Sequence, residues 1–374
     1  MSDKEIGYQH ICAGDFIIHG MDGFAGAMGI SDSDGKASPV LMVFRSIGSH
    51  DLRFINYLLR LYAQRKVFLA LTTSIRVRSC DLNWAKVAPL PLTLPSFGEQ
   101  QAIADYLDAK TAEIDALVAD CEREVVLLRE YRKAVISEAV TRGLNPDAPM
   151  KDSGVEWIGE IPEGWEVERL KYLLTGSLQY GATEMGEEYA EYLPRYIRIT
   201  DIAEDGSLRS EEKKSLACDL AAPFILEDGD LLFARSGATV GKAFLYRKEM
   251  GLAAFAGYLI RGSVNRGKVR SEYLYYWTQS GSYENWKLSV FNQATIQNIG
   301  ADKYKELPIL CPNLIIQDAI ITNLDAKTAE IDSLIEMKQQ MAEKLREYRR
   351  SLISEAVTGK FKVPSLAGAG REAG

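Results

Sequence analysis

The sequence is poor in the residues that build metal sites and disulfide frameworks. Its 374 residues include only three histidines, and its five cysteines form no Cys-x-x-Cys spacing. A structural zinc site needs a cluster of such ligands, and a disulfide framework needs paired cysteines. We therefore predict neither a metal centre nor disulfides, and we expect the cysteines to be small apolar core residues.

Long apolar runs are also missing. No stretch reaches 18 consecutive apolar residues, and the first ten residues lack a basic segment followed by an apolar one. Neither a membrane-spanning helix nor a secretory signal is therefore expected. We predict a cytoplasmic protein that makes no membrane contact.

The chain has no overall excess of basic residues. Lys and Arg total 44 against 52 Asp and Glu, which gives a formal net charge of −8. Such a charge argues against a simple nucleic-acid-binding protein. The distribution is uneven, however: residues 41–87 and 235–287 each carry a net charge of +6, whereas residues 163–230 carry −9. If the protein binds DNA, these two basic segments are predicted to contact it.

An internal repeat organises the chain. Residues 91–141 align with residues 308–358 without gaps, and 26 of 51 positions are identical. The clearest doubled blocks are LDAKTAEID, LREYR and ISEAVT. Each copy starts with a proline-punctuated extended segment and continues as one long helical pattern, which ends at Gly143 or Gly359. The repeat predicts two equivalent long helices.

Apolar residues recur at alternating steps of three and four along both helices, which indicates a coiled-coil seam. The predicted seam leucines are Leu117 and Leu128 in the first helix and Leu334 and Leu345 in the second. One charged residue interrupts each seam, Glu124 in the first helix and Lys338 in the second. If the helices pair antiparallel, these two residues face each other, and a slip of register would bury an unpaired charge. We predict that this pair sets the register; the alternative is that both side chains reach solvent and set nothing.

Segments of mixed strand and helix pattern precede each long helix. Residues 161–312 contain several strand-like runs and one short helical run, whereas residues 1–95 match only the later part of that segment. For example, AGDFII at 13–18 aligns with DGDLLF at 228–233. The predicted boundaries are 1–95 for a partial first domain, 96–143 for the first helix, 144–160 for a linker, 161–312 for a second domain, 313–360 for the second helix and 361–374 for a flexible tail.

This order resembles the specificity subunit of type I restriction–modification systems, over essentially the whole chain. The residues that carry the resemblance are the doubled LDAKTAEID and SEAVT blocks and the segment KDSGVEWIGEIPEGWEVERLK at 151–171. The resemblance implies two α/β (α+β) target-recognition domains joined by a long antiparallel two-helix coiled coil, as a pseudo-two-fold tandem repeat. Each domain would read one half of a bipartite site in double-stranded DNA.

The resemblance also implies that this chain is not an enzyme and binds no cofactor itself. Two methyltransferase subunits would bind S-adenosylmethionine, and restriction and translocase subunits of the endonuclease complex would use ATP and Mg²⁺. The sequence departs from the family pattern because its first recognition domain lacks the opening part. The alternative is therefore a truncated scaffold that binds the methyltransferase subunits through its helices and reads no DNA.

The candidate DNA contacts lie mostly in the two basic segments. The loop from Arg235 to Lys242 is too short for a nucleotide-binding loop, but its cations, hydroxyls and glycine-flanked amides suit phosphate. An arginine can read guanine, and amide side chains can pair with adenine. For any one residue, the alternative is an ordinary surface or turn position. The predicted contacts are Arg235, Ser236, Thr239, Lys242, Arg247, Arg261, Asn292, Gln293, Thr295, Gln297 and Arg76.

Overall fold

A computed structural model describes most of the chain as two compact units. One unit combines residues 1–124 with 337–374, and the other consists of residues 125–336. In the described part, no helix is long and apolar enough to cross a membrane. The described residues are 8–71, 82–203, 206–237, 239–291 and 298–363.

The first unit is built around a three-stranded antiparallel sheet in the order β3-β2-β5, beside a separate β1–β4 pair. Phe16 and Ile18 of β2 are buried and Ile17 between them is half-exposed, as expected for a strand with one covered face. The strands are β1 (Gln9–Ile11), β2 (Phe16–His19), β3 (Met28–Ile30), β4 (Gly35–Ala37) and β5 (Leu41–Phe44). The helices are α1 (Leu52–Gln64), α2 (Val67–Ala70), α3 (Trp84–Val87) and the first part of α4 (Phe97–Arg142).

The second unit contains two four-stranded sheets, β14-β13-β16-β9 and β10-β12-β11-β15, and the two-stranded pairs β6–β7 and β8–β17. Only β11 and β15 pair in parallel among these strands. The strands are β6 (Met150–Asp152), β7 (Glu160–Pro162), β8 (Glu166–Arg169), β9 (Gln179–Tyr180), β10 (Glu187–Glu188), β11 (Arg195–Ile197), β12 (Lys214–Ser215), β13 (Leu231–Ala234), β14 (Ala243–Leu245), β15 (Ala253–Phe255), β16 (Leu259–Gly262) and β17 (Pro308–Cys311). The helices are α5 (Leu170–Leu173), α6 (Cys218–Ala221), α7 (Ser271–Trp277), α8 (Gly281–Phe291), α9 (Ala301–Tyr304) and α10 (Leu314–Val357).

The two units share one sheet arrangement. Strand β2 lies between β3 and β5 just as β13 lies between β14 and β16. Both faces of β13 are covered, because Leu231 and Phe233 pack in one cluster and Leu232 and Ala234 in another. Within the described residues, the first unit has no counterpart of the sheet that covers this second face. It therefore carries the equivalent of one layer of the second domain.

The two longest helices run antiparallel, as predicted. Asp115 Oδ1 lies 2.8 Å from Arg349 Nε in the first unit, and Asp332 Oδ1 lies 2.9 Å from Arg132 Nε in the second. Each ion pair joins α4 to α10, and in both the two residue numbers have the same sum, as antiparallel helices require. Both pairs come from the doubled AEID and EYR residues, so the repeat supplies the same contact twice. The predicted coiled-coil fold is confirmed.

The observed seam differs from the predicted one at alternate positions. Leu128 and Leu345 are half-buried, but Leu117 and Leu334 are exposed. At each of these alternate positions, the residue that follows the predicted one faces inward instead. The inward-facing residues are Val118, Val125, Arg132, Ile335, Ala342 and Arg349. Neighbouring apolar residues such as Leu117 and Val118 fit either spacing. Arg132 and Arg349 favour the observed spacing, because their aliphatic stems pack inward while their guanidinium groups reach an aspartate.

Glu124 and Lys338 form the expected ion pair, but in a different setting. Lys338 occupies an inward position and keeps 34% of its side chain exposed, whereas Glu124 lies outside the seam with 48% exposed. The hydrogen bond from Lys338 to Glu124 raises the pKa of the lysine. An ion pair this exposed contributes at most about 1 kcal/mol. A slip of register would therefore not bury either charge fully, and the prediction that this pair sets the register gains little from their burial.

In each unit, a tyrosine from the mixed domain binds the long helix at the doubled LDAKT block. Tyr57 on α1 donates to Asp108 Oδ1 at 2.8 Å, and its oxygen lies 3.3 Å from Thr111 Oγ1. Tyr276 on α7 donates to Asp325 Oδ1 at 2.6 Å and lies 3.3 Å from Thr328 Oγ1 in the same way. The aspartate and threonine of this block thus receive one domain helix in each unit.

A buried glutamine adds a second contact of the same kind. Gln100 accepts a hydrogen bond from the backbone of Asp51 at 3.1 Å and donates to the carbonyl of Pro95 at 2.9 Å. Gln317 accepts from the backbone of Arg270 at 2.8 Å and donates to Pro312 at 2.7 Å. Each glutamine therefore joins the start of a domain helix to the proline segment that precedes the long helix.

The tyrosine contacts predict a dependence of stability on pH. Burial, helped by the hydrogen bond to Asp108 and opposed by Thr111, raises the pKa of Tyr57 to about 12. The folded state therefore favours the neutral phenol, so its stabilisation is complete below about pH 10 and is lost as the pH rises towards 12. Tyr57→Phe and Tyr276→Phe should each cost about 1 kcal/mol at pH 8. Both should also make the decline between pH 10 and 12 shallower in urea unfolding.

The exposed Tyr348 provides the matched control, because Tyr348→Phe should change neither the stability at pH 8 nor its decline at high pH. An unaltered high-pH decline in both docking variants would contradict the prediction.

Candidate nucleic-acid interface

The loop from Arg235 to Lys242 joins β13 to β14 and begins on a rigid residue. The backbone N–H of Arg235 donates to the carbonyl of Tyr258 at 3.0 Å, and its carbonyl accepts from Ile299 at 2.8 Å. The guanidinium carbon lies 5.1 Å from the centre of the Tyr180 ring. The side chain makes no hydrogen bond or ion pair with a described residue, and its Nε is buried, which leaves its two terminal nitrogens as the donors for a ligand.

The rest of the loop is a tight turn that presents a second cation. Gly237 and Gly241 have φ values of +78° and +80°, which glycine adopts without strain. The backbone of Lys242 donates to the carbonyl of Thr239 at 2.9 Å, and Ser236 forms a β-bridge with Asn298. Lys242 lines a cavity of about 210 Å³, to which Arg132 and Lys287 also contribute. Two cations and two hydroxyl residues at a glycine-rich turn can bind phosphate.

Two of the predicted DNA contacts have internal partners. Arg261 donates to the carbonyl of Ile225 at 2.7 Å and to Gln179, and 19% of its side chain is exposed. Arg247 forms an ion pair with Glu272 at 2.6 Å. Arg261 donates from both terminal nitrogens to internal acceptors, whereas the ion pair of Arg247 engages only one terminal nitrogen of its guanidinium. Both residues stay predictions as DNA contacts, and the internal partners make them weaker candidates than Arg235.

Part of the positive charge of residues 235–287 is neutralised within the fold. Asp228 and Asp318, which lie outside that range in the sequence, pair with Arg266 at 2.8 Å and with Arg270 at 2.7 Å. The hydrogen bonds from these arginines lower the pKa of both aspartates. A net charge counted along the sequence omits such distant partners. The segment is therefore less basic as a surface than its composition indicates.

The basic residues of the first domain are used in the same way. Arg45 pairs with Asp15 at 2.8 Å, and Arg53 pairs with Asp51 at 2.8 Å. Arg60 donates to the carbonyl of Met28 at 2.7 Å. These arginines stabilise the first unit, which leaves fewer cations for DNA. The remaining candidates, Arg76, Asn292, Gln293, Thr295 and Gln297, lie outside the described residues and stay predictions.

Tyr180 and Asn298 border the candidate site and were not predicted from the sequence. Tyr180 lies on β9, more than 50 residues before Arg235 in the chain, and no local motif marks it. Asn298 directly follows the predicted amide cluster and carries a buried amide oxygen without a partner. The extension of that polar cluster by one residue was the only available signal.

No family model matches the chain. It is 24% identical over 369 residues to a candidate type I restriction enzyme specificity subunit, MjaX, of Methanocaldococcus jannaschii, covering 97% of this chain and 77% of that protein. It is 25% identical over 290 residues to the MjaVIII specificity subunit of the same organism, covering 74% of this chain and 63% of the relative. It is 22% identical over 299 residues to the EcoBI specificity subunit of Escherichia coli, covering 78% and 62%. The chain thus spans less than two thirds of the length of the last two relatives.

Solved structures share the fold. A chain from a structural study of complex assembly and conformational transition of the type I R-M system superposes with a TM-score of 0.73 at 14% identity, covering 96% of this chain and 85% of that one. The HsdS subunit from Thermoanaerobacter tengcongensis gives a TM-score of 0.51 at 16% identity, covering 94% and 82%.

The fold defines a class of protein in which mixed α/β domains bind a pair of antiparallel helices. Within that class, the chain is similar to specificity subunits of type I restriction enzymes, over 97% of its length for one relative and about three quarters for the other two. The resemblance predicted from the doubled blocks is confirmed.

The contacts predict opposite consequences for two arginines. Arg261→Met would remove the donor to Ile225 and leave the buried carboxylate of Asp230 without its nearest cation, 3.7 Å away. We expect a loss of about 2–3 kcal/mol in the free energy of unfolding. Arg235→Met removes no internal hydrogen bond and should change stability by less than about 0.5 kcal/mol. Urea unfolding of both variants tests this, and equal losses would show that Arg235 is also structural.

Proposed function

We propose that this chain is a DNA-recognition subunit that directs type I methyltransferase and restriction subunits to a bipartite site. The observation that carries the proposal is the repeated docking of a mixed domain on a long helix. It occurs through Tyr57 in one unit and Tyr276 in the other, in a chain similar throughout to specificity subunits. One mixed domain docked on the long helices in each unit suits a site of two half-sites, one for each unit.

The chemistry would lie on the partners. Methyltransferase subunits would bind S-adenosylmethionine, and restriction and translocase subunits would use ATP and Mg²⁺. This chain would bind no cofactor and act by positioning, in the cytoplasm where its DNA lies. In the second domain, Arg235 and Lys242 are our candidates for the first DNA contacts, because the other predicted arginines there hold internal acceptors.

A non-reading scaffold is the second candidate function. The first unit supports it, because its described residues carry one sheet of the domain and several of its arginines are engaged internally. A scaffold would still bind methyltransferase subunits through its helices. Only sequence-dependent DNA binding separates the two functions.

Binding to selected duplexes tests the proposal. The full chain with its methyltransferase subunits should bind one bipartite sequence at least about 10³-fold more tightly than scrambled DNA. Lys242→Ala should lower the affinity for all sequences similarly and reduce the dependence on salt by about one counterion. Equal affinity for specific and scrambled duplexes would favour the scaffold. The same measurement without the methyltransferase subunits shows whether they are needed for reading.

Exposed apolar residues on the long helices support a partner surface. Leu117 and Tyr348 in the first unit are exposed, as are their repeat equivalents Leu334 and Tyr131 in the second. Each lies one residue before an inward position of its helix. Exposed leucine and tyrosine at the same place in both copies suit the docking of one methyltransferase subunit on each unit.

Stoichiometry tests this surface. Leu117→Glu and Leu334→Glu should each reduce binding from two methyltransferase subunits to one, because a buried carboxylate without a partner is costly at an interface. The double variant should bind none in light-scattering measurements of the purified complex. Val126→Glu is the matched control: this residue is also exposed and lies nine positions from Leu117, on the opposite helix face. Full stoichiometry in the double variant would refute the surface.

A further inference from the structure

The side chain of Arg235 makes no hydrogen bond or ion pair with a described residue, unlike the other well-placed arginines of the second domain. Its Nε is buried and has no hydrogen-bond partner among the described residues. Arg195 also has a buried Nε without a partner, but another of its nitrogens donates to the carbonyl of Arg209. The arginines that hold internal acceptors there are Arg169, Arg195, Arg198, Arg247, Arg261, Arg266 and Arg270. Withdrawing guanidinium donors from water without an acceptor costs free energy. The acceptor that would recover this cost is therefore expected on a ligand.

The side chain is held for that purpose. Its guanidinium lies over the ring of Tyr180, and the Tyr180 hydroxyl accepts a hydrogen bond from the backbone of Ala301 at 3.0 Å. The backbone of Tyr180 is also fixed, because it pairs with Ile260 in the sheet. Both the arginine and its aromatic support thus stand on rigid elements, which is the arrangement that specific recognition requires.

The equivalent position of the first unit shows that the fold does not need an arginine here. Gly20 follows β2 as Arg235 follows β13, and its backbone makes the same two hydrogen bonds, to Val40 at 2.8 Å and from Leu82 at 3.0 Å. A Cβ atom at Gly20 would lie 2.8 Å from the Val40 carbonyl oxygen. The same backbone site therefore excludes a side chain in the first unit on steric grounds, whereas the second unit leaves room for the arginine.

A second unsatisfied group lies beside it. Asn298 pairs with Ser236 across a β-bridge, and the buried oxygen of its amide has no partner among the described residues. Asn298 therefore shares a face with Ser236, the residue after Arg235, and adds a second polar group without an internal partner. Lys242 offers a single flexible ammonium, whereas the planar guanidinium of Arg235 can donate to two acceptors at once.

We propose that Arg235 is a specificity-determining residue that donates to O6 and N7 of a guanine in the half-site of the second domain. Tyr180 is its positioning residue. This inference rests on the proposed function and names the base that one residue reads. A planar guanidinium held over a ring matches the two acceptors of guanine in the major groove.

Selection from random duplexes tests the assignment with the full chain in its methyltransferase complex. The wild-type motif should contain a guanine that Arg235→Ala no longer selects, with about a 5- to 150-fold loss of affinity for the wild-type site and little change on scrambled DNA. Arg235→Lys should relax the same position, because lysine keeps the charge but lacks the fork. Tyr180→Leu should weaken that preference, whereas Tyr180→Phe should retain most of it.

Two controls keep the outcomes distinct. Lys242→Ala should lower affinity without changing the motif, and the exposed Arg209→Ala should change neither. Thermal unfolding of each variant shows whether it is folded. If the wild-type complex selects a motif and both Arg235 variants select the same one, the inference is wrong while the proposed function stands. If the wild-type complex selects no motif, the proposed function fails and this inference with it.

Discussion

The docking of each mixed domain on a long helix is the interaction on which the rest of the structure depends. Helices of more than 40 residues bury little surface when only two of them pair, and the small sheets cannot close a core alone. The domain helices α1 and α7 cover the long helices with apolar residues, and each inserts one tyrosine. This contact buries more surface on the long helices and completes the core of each domain. Because the receiving aspartate and threonine belong to a doubled block, one local solution serves both units.

This constraint also explains how the chain uses its arginines. Most of them hold carbonyls or carboxylates, including acids that lie far away in sequence, and so stabilise the domains rather than meet a polyanion. The chain has a net charge of −8, and most of its arginines pair with internal acceptors, so few cations remain to contact phosphate. Much of the electrostatic affinity for DNA would then come from partner subunits, while this chain contributes a small number of well-oriented contacts.

The sequence predicted the features that depend on local or repeated patterns. The two helices, their glycine ends and their antiparallel pairing follow from periodicity, a left-handed glycine and the register of doubled blocks. The periodicity did not predict which residue faces inward at alternate seam positions, because Leu117 and Val118 are both apolar and only tertiary packing selects between them. The internal partners of Arg247 and Arg261 did not follow from the sequence either, since these acceptors lie 25 and 36 residues away in the chain. Tyr180 carried no signal, because stacking on an arginine is a purely three-dimensional relation.

The repeat separates what the framework requires from what a ligand requires. Positions that dock domain on helix are retained in both copies: tyrosine on the domain side, and aspartate, threonine and glutamine on the long helices. Where the central strand of each sheet ends, the backbone hydrogen bonds are also retained, but one copy has Gly20 and the other Arg235. The first unit has no room for a side chain at this site, because a Cβ atom at Gly20 would lie 2.8 Å from a backbone oxygen, whereas the second unit accommodates the arginine. Variation confined to the end of a strand, on a fixed backbone, is the arrangement by which one framework can present different recognition surfaces.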